Sequence, residues 1–445
     1  MRILLATDNA PLEVLIRRSL IRFNYQWECV RNGFDAFQRT ITQKFDLIIL
    51  DTDLTRMSPI EILRRFGSID QFKAPPVIVL TLSEEERLSI EAEHFPRIEI
   101  VSRPMVIRKF VSTVQQILEQ QPHVACLGGG TGLFTLLLGL KTLSSIRITS
   151  IVSMSDDGGS TGRLRDIFGI LPPGDIRRSL VALSTAPDLL NELMQYRFEK
   201  GGDLEGHNLG NLLLTALTQM RGSMGDAVRS LAEILNIQGQ VIPVTETINT
   251  LHAELENGAV LSGEHSIDLF EGHDPKLRIK RLWQEPQAQA NPDALEAIMN
   301  AKLIILGPGD LFTSIIPNFI ASGISEAICT SRAKKVYICN VMTKPGETTD
   351  FTVTDHVREI VKYLRQDVLD YVVTSSTQFS KSSLEKYSLK DQGPVIEKDP
   401  GGFSLVTKAK LIAADVASEK ELLRHDSLKL AGEIKKILEL ETLIT

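Results

Sequence analysis

The stretch His123-Val-Ala-Cys-Leu-Gly-Gly-Gly-Thr-Gly132 constrains this chain most. An apolar run of strand length meets a glycine turn, and the apolar run Leu133–Leu140 that follows reads as a helix. Glycines let backbone N–H groups come close to a ligand, and the first turn of a helix carries partial positive charge, so such a turn suits a phosphate. A second stretch, Ser155-Asp-Asp-Gly-Gly-Ser-Thr-Gly-Arg-Leu-Arg-Asp166, falls where the next strand should end. It reads as a flexible loop with two adjacent carboxylates and two arginines. Together the two stretches point to a nucleotide or another phosphorylated ligand.

At 445 residues the chain has room for two or three domains. The net charge of −7 argues against a general nucleic-acid or anionic-membrane binder, which would carry a basic field. The four cysteines, Cys29, Cys126, Cys329 and Cys339, are scattered, without a Cys-x-x-Cys pair. They read as small apolar groups in or near strands rather than a disulfide framework or a zinc site. The first residues hold an acidic group and no long apolar run, and Leu133–Leu140 is too short to span a bilayer. The expectation is a cytoplasmic protein.

Residues 1–119 alternate short apolar runs (Ile3–Ala6, Leu47–Leu50, Val77–Leu80, Ile98–Val101) with helical patterns such as Leu12–Ile21 and Ile107–Leu118. That alternation predicts a parallel sheet covered on both faces. Glu119-Gln-Gln-Pro122 is a polar break, and we place a domain boundary there. From residue 123 the order is α/β again, with strands expected at Val124–Leu127, Ile148–Ser153, Gln240–Thr245, Lys302–Leu306, Lys335–Cys339 and Tyr371–Thr374. Asn257-Gly258 between two alternating runs predicts a hairpin. Gln284–Pro292 is the nearest thing to an internal linker, and residues 426–445 read as a last amphipathic helix.

The first unit carries Asp51 at the end of its third apolar run, Asp8 after its first and Thr81 after its fourth. Over its whole length it resembles the receiver domain of bacterial response regulators. The resemblance implies a flavodoxin-like fold, Asp51 as phosphoacceptor, Mg²⁺ held by Asp8 and Asp51, and a histidine kinase as partner. Three positions depart from the family pattern. Thr7 stands where a carboxylate is usual, Arg103 replaces the lysine before proline, and Ile100 replaces an aromatic residue. A degenerate receiver used for docking or dimerisation is the alternative expectation.

In the second unit, Gly128–Gly132 does not follow the Gly-x-Gly-x-x-Gly spacing of dinucleotide sites, so NAD is set aside. Adjacent Asp156 and Asp157 need a cation, an arginine or a ligand donor to offset their repulsion. Leu171-Pro-Pro-Gly-Asp-Ile-Arg-Arg178 reads as a rigid turn into a helix, with Asp175 as its N-cap. Arg177 there opposes the helix dipole unless an anion faces it. Gly206-His-Asn-Leu-Gly-Asn211 opens another helix, where His207 is either a ligand contact or a satisfied cap histidine. Leu303–Ser314 is a second strand–glycine turn with Thr313 and Ser314 before a helix, and Cys339–Thr348 is a third such loop. Three loops after parallel strands can converge at the carboxyl edge of an open sheet, where α/β folds bind ligands.

Residues 123–425 resemble the YvcK-type gluconeogenesis factors, relatives of the CofD 2-phospho-L-lactate transferases. The resemblance rests on Gly-Gly-Gly-Thr-Gly (128–132), Asp-Asp-Gly-Gly-Ser (156–160), Gly-Arg-Leu-Arg-Asp (162–166), Leu-Pro-Pro-Gly-Asp-Ile-Arg (171–177), Leu-Gly-Asn-Leu-Leu (209–213), Gly-Pro-Gly (307–309), Thr-Ser-Ile-Ile-Pro-Asn (313–318) and Lys-Pro-Gly-Glu-Thr (344–348). It implies a Rossmann-type doubly wound sheet and a nucleotide-sugar ligand of the UDP-sugar type. It also implies a regulatory role in carbon metabolism and cell shape.

The ligand contacts expected from it are Gly128, Gly129, Gly130, Thr131, Gly132, Arg163, Arg177, Asn211, Gly307, Gly309, Thr313 and Ser314. Asp156 and Asp157 would hold a metal or sugar hydroxyls. The alternative is a Mg²⁺-dependent transferase of the CofD class, with Asp156 or Asp157 as catalytic candidates. A homo-oligomer is left open. Asp310 stands where serine is common after Gly-Pro-Gly, and Asn208 where serine is common before Leu-Gly-Asn. The first of these puts a carboxylate near the expected diphosphate.

Overall fold

In the computed structural model the chain divides into two compact units, Met1–Gln121 and Pro122–Thr445. The structure describes all residues except 24, 70–73, 93, 94, 96, 120, 144, 145, 270–273, 420, 421 and 445. Gln120 of the polar break and Thr445 of the expected last helix therefore lie outside the described residues.

The first unit is a five-stranded parallel sheet: β1 (Arg2–Ala6), β2 (Gln26–Val30), β3 (Leu47–Asp51), β4 (Val77–Thr81) and β5 (Ile98–Ser102). The order is β2-β1-β3-β4-β5. Leu4, Ile48, Leu50, Val77 and Val79 pack on one face, and Ile3, Leu5, Leu47, Ile49, Ile78 and Leu80 on the other. Burial on both faces is why these strands read as unbroken apolar runs. β2 (Gln-Trp-Glu-Cys-Val) escapes that reading because it is an edge strand, buried only at Val30. The strand order reverses at β1 and β3, so the loops after those two strands meet at the switch point.

The second unit is built on a seven-stranded parallel sheet: β6 (His123–Gly128), β7 (Arg147–Val152), β8 (Gln240–Pro243), β12 (Leu303–Leu306), β13 (Lys334–Ile338), β14 (Tyr371–Ser375) and β15 (Lys410–Ala414). An antiparallel sheet of β9 (Thr250–Leu255), β10 (Val260–Ser262) and β11 (Ile279–Glu285) is inserted between β8 and β12. The large sheet runs β15-β14-β13-β12-β6-β7-β8. The chain thus winds outward from β6 in one direction through β7 and β8, and in the other through β12 to β15. The switch point lies between β6 and β12, which pair in register from Leu303 with Val124 to Leu306 with Leu127. That placement brings the glycine turns after β6 and β12 side by side.

Several local expectations are corrected. The stretch after Asp157 is not a loop: Gly159–Phe168 is a helix, and it carries Arg163 and Arg165. Its Gly-Ser-Thr-Gly start hides the apolar period that marks a helix. The expected linker is split between structured elements, since Gln284 and Glu285 end β11 and Pro292 opens the helix Pro292–Met299. The Asn257-Gly258 hairpin joins β9 to β10, and the short helix Glu264–Asp268 follows. Cys329 lies in the helix Ile324–Thr330 rather than in a strand. All four cysteines are free. The last helix, Ser427–Ile444, packs on the helix Gly130–Leu140 so closely that a Cβ on Gly139 would collide with the Ser427 carbonyl. No helix among the described residues is long and apolar enough to cross a membrane.

Candidate functional site

The loops after β6, β7, β12 and β13 gather at the carboxyl edge of the large sheet. Gly130 has φ of 65°, a left-handed conformation that favours glycine. A Cβ on it would lie 3.4 Å from Ser314 Oγ. A Cβ on Gly132 would lie 2.5 Å from the Pro308 carbonyl oxygen and 2.8 Å from Gly309 N, and one on Gly309 would lie 3.3 Å from the Gly129 carbonyl oxygen. The two glycine turns are therefore in backbone contact, and their glycines serve that approach. Thr131 is exposed at the start of the helix, and Thr313 and Ser314 lie in a π-helical turn, Leu311–Ile315, after β12.

The structure gives Asp175 a role that the sequence did not suggest. Pro173 holds the N-cap position, and Asp175 sits inside the first turn of the helix Gly174–Leu183. Its Oδ2 accepts the Gly130 N–H at 2.8 Å, and its Oδ1 accepts from Arg178 Nη1 at 2.6 Å. A carboxylate of the protein thus occupies part of the anion-binding turn. An incoming phosphate would compete with Asp175 for Gly130 N–H.

The expected ligand residues divide into two groups. Gly128, Gly129, Gly130, Thr131, Gly132, Gly307, Gly309, Thr313 and Ser314 belong to the two touching turns. Arg177 and Asn211 do not face the edge as free donors. Arg177 is buried, its Nε donates to Asn211 Oδ1 at 2.9 Å, and its Nη1 donates to the Met194 carbonyl at 3.3 Å. Burial and the neighbouring Arg178 and Arg197 pull its guanidinium down to about 10. Its conflict with the helix dipole is thus met by buried hydrogen bonds and by the nearby carboxylates of Asp175 and Asp156. Arg163 donates to the Glu205 carbonyl at 2.8 Å. His207 pairs with Ser160 Oγ at 3.1 Å as a satisfied cap-region histidine. Burial and the charges of Arg163 and Arg197 lower its pKa.

The paired aspartates also have separate environments. Asp157 accepts from His265 N at 2.8 Å and Glu264 N at 3.2 Å, so it caps the Glu264–Asp268 helix of the inserted segment. Asp156 accepts from Gly158 N at 3.0 Å. Burial, with the charge of Asp175 added, pushes Asp156 up to about 6. Glu264 is pushed up to about 9 by burial and by Asp156, Asp268, Asp175 and Glu347.

On the other side of the edge stands Lys344, from the loop after β13. Its Nζ contacts Asp310 and Glu347 at 2.8 Å each, and Asp268 as well. Burial works against that ammonium, but Glu347, Asp310 and Asp268 outweigh it and hold it well above the ordinary lysine range. Glu347 is fully buried, accepts from Phe312 N at 3.2 Å and from Thr313 Oγ1 at 3.3 Å, and burial pushes it to about 7 against the pull of Lys344. The carboxylate at Asp310 is thus balanced by Lys344.

Lys344 and Glu347 lie in the Lys-Pro-Gly-Glu-Thr motif, so they were visible in the sequence, though without a role. Asp268 and Glu264 carried no signal, because they come from the inserted antiparallel segment.

This cluster sets a pH dependence. Glu264 keeps its proton in the folded protein to about pH 9 but loses it near the ordinary carboxylate value once unfolded. The folded state therefore binds more protons, and stability falls as pH rises. His123, His356 and His425, lowered to about 4 by burial, act in the opposite sense, but only below about pH 6.5, where the unfolded chain still protonates. Thermal unfolding followed from pH 7 to pH 8.5 should show a falling Tm, and Glu264→Gln should flatten it. An equal slope in the variant would remove Glu264 as the cause.

In comparisons with known proteins, residues 124–416 match the model of the family described as 2-phospho-L-lactate transferase CofD, and residues 3–115 match that of the response regulator receiver domain. The gluconeogenesis factor of Bacillus subtilis is 41% identical over 320 residues, which cover 72% of this chain and 99% of that protein. That of Halalkalibacterium halodurans is 40% identical over 318 residues, 71% of this chain and 96% of its own length. A crystal structure of a Bacillus halodurans protein superposes with a TM-score of 0.67 at 40% identity, covering 71% of this chain and 99% of that one. With its second unit matched to the CofD model almost end to end and its first to a receiver, the chain belongs to the CofD family, as a gluconeogenesis-factor homologue that carries a response-regulator receiver domain.

Proposed function

We propose that the second unit binds a nucleoside diphosphate-sugar of the UDP-sugar type and acts as a regulator of carbon metabolism and cell shape, not as a catalyst. The observation that carries this reading is the meeting of the two glycine turns at the switch point, with Thr131 exposed and Ser314 beside Gly130. Backbone donors at a helix start suit a diphosphate. Gly130 N–H becomes available once Asp175 yields it. Oxygens of Asp268, Asp310 and Glu347 lie within 4.8 Å of one another, a donor set whose chemistry fits Mg²⁺. These three residues would hold the cation if Lys344 turned from them toward the ligand. When bound, the cation would offset the charge of the diphosphate.

Calorimetry with UDP-glucose and UDP-N-acetylglucosamine, with Mg²⁺ or with EDTA, tests the reading. Gly130→Val should weaken binding at least about tenfold, some 1.4 kcal/mol, because a β-branched side chain strains the left-handed turn and crowds Ser314. Circular dichroism of the variant checks that it folds. No heat with any uridine nucleotide would sink the proposal.

A second reading, transfer of a phospholactyl-type group from a nucleotide-linked donor, is favoured by one feature. Asp156 is half-buried at the edge with its pKa raised toward neutrality, which suits a general base. Turnover of such a donor, lost in Asp156→Asn, would decide for it. A histidine kinase is the class of partner that the receiver domain implies for the first unit.

A further inference from the structure

We propose that Arg103 is the built-in counter-cation of Asp51, so that the receiver unit neither holds Mg²⁺ there nor takes a phosphoryl group at Asp51. A receiver domain implies a divalent cation bound by a cluster of carboxylates beside the phosphoacceptor. The residues present do not fit it. Asp51, at the end of β3, is fully buried, and both of its oxygens are engaged. Oδ2 accepts from Thr7 Oγ1 at 2.6 Å, and Oδ1 pairs with Arg103 Nη2 at 2.7 Å. The same guanidinium nitrogen contacts Asp53 Oδ2 at 3.1 Å, and the Arg103 side chain is only 10% exposed.

Thr7 takes the place of a carboxylate with a neutral hydroxyl that donates to Asp51. The remaining member of the acidic pair, Asp8, is exposed. Mg²⁺ demands an octahedron of oxygens, several of them usually water, at close range. Here the planar fork of an arginine, always charged, already pairs with Asp51 Oδ1 and reaches Asp53. A second cation beside it would be repelled.

Phosphorylation at this site needs an Asp51 oxygen to attack phosphorus while the bond to the leaving group breaks and that group departs with the electron pair. An oxygen buried and hydrogen-bonded on both sides offers no approach for that attack. The Thr81 hydroxyl, buried at the end of β4 without a hydrogen-bond partner, is a donor still open to a phosphoryl oxygen. It would matter only once the arginine is removed. The unit then conveys its signal through contact with a partner and not through an acyl phosphate.

The full-length chain incubated with acetyl phosphate and Mg²⁺, then mapped by peptide mass spectrometry, should show no phosphoryl adduct at Asp51. The double variant Thr7→Asp/Arg103→Lys should gain one, with acetate released. An adduct in the wild type overturns the proposal. So does a folded double variant that stays as unreactive as the wild type, because the arginine and threonine would then not be the cause. Should the double variant fail to fold, hydrogen exchange of the wild type with beryllofluoride and Mg²⁺ decides. Unchanged exchange in the peptides spanning 51–57 and 81–83 supports the proposal, and protection there overturns it.

Discussion

Gly132→Ala should destabilise the second unit by about 3 kcal/mol, near the upper end of what an added methyl does in a tightly packed place. The methyl carbon would lie 2.5 Å from the Pro308 carbonyl oxygen, 2.6 Å from its carbon and 2.8 Å from Gly309 N. All three are backbone atoms of a turn pinned between β12 and the π-helical segment, so no side chain can swing aside. The helix Gly130–Leu140 would have to pull away from the neighbouring turn, opening the proposed ligand edge. Gly432→Ala is the matched control. It lies within the last helix and has nothing within 4 Å of an added Cβ, so there alanine's helix preference should stabilise by about 0.5–1 kcal/mol. Urea unfolding of both variants measures the contrast. Equal midpoints would show that the two glycine turns are not in the contact described.

Lys344→Met should cost about 3–5 kcal/mol at neutral pH, as expected when one partner of a buried ion pair is removed. Glu347 is fully buried, and Asp310 and Asp268 would face it with no ammonium between them. Glu347, raised by burial and no longer pulled down by the ammonium, would then hold its proton to a higher pH in the folded protein than in the unfolded chain. The sign follows: the variant should regain stability as pH falls from about 8 to about 5, since a protonated carboxyl needs no counter-cation. Lys344→Met/Glu347→Gln should recover part of the loss, giving a coupling energy in a double-mutant cycle. Urea midpoints at the two pH values read both effects. A pH-independent loss would mean that Lys344 acts through its packing alone.

The interplay of Lys344 with Asp268 also explains why the inserted antiparallel segment belongs to the site. That segment supplies Glu264 and Asp268, and Asp157 anchors it by accepting the N–H groups of Glu264 and His265. The Asp156-Asp157 pair thus divides its work between a half-buried carboxyl whose pKa is raised and an anchoring one. Two adjacent aspartates in a sequence look equivalent, and burial and partners make them different.

What could be read from the chain alone was local or periodic. Strands such as Leu47–Asp51 and Leu303–Leu306 are buried on both faces and announce themselves as apolar runs. Glycine turns are legible because positive φ and close approach leave few other residues acceptable. The strand β15, with no fully buried residue, and the helix Gly159–Phe168, with a glycine- and hydroxyl-rich start, lack those marks and were missed.

The alternation of strands and helices, and the motifs on their connecting turns, determined two parallel-sheet units and the edge where a ligand would meet the second. Only the tertiary structure decided which charges neutralise one another. Asp175 reaches Gly130 across 45 positions, Lys344 reaches Asp268 across 76, and Arg103 reaches Asp51 across 52. Short-range preferences are written residue by residue, whereas an ion pair or a capped N–H depends on distances that exist only after the sheet has set its strand order.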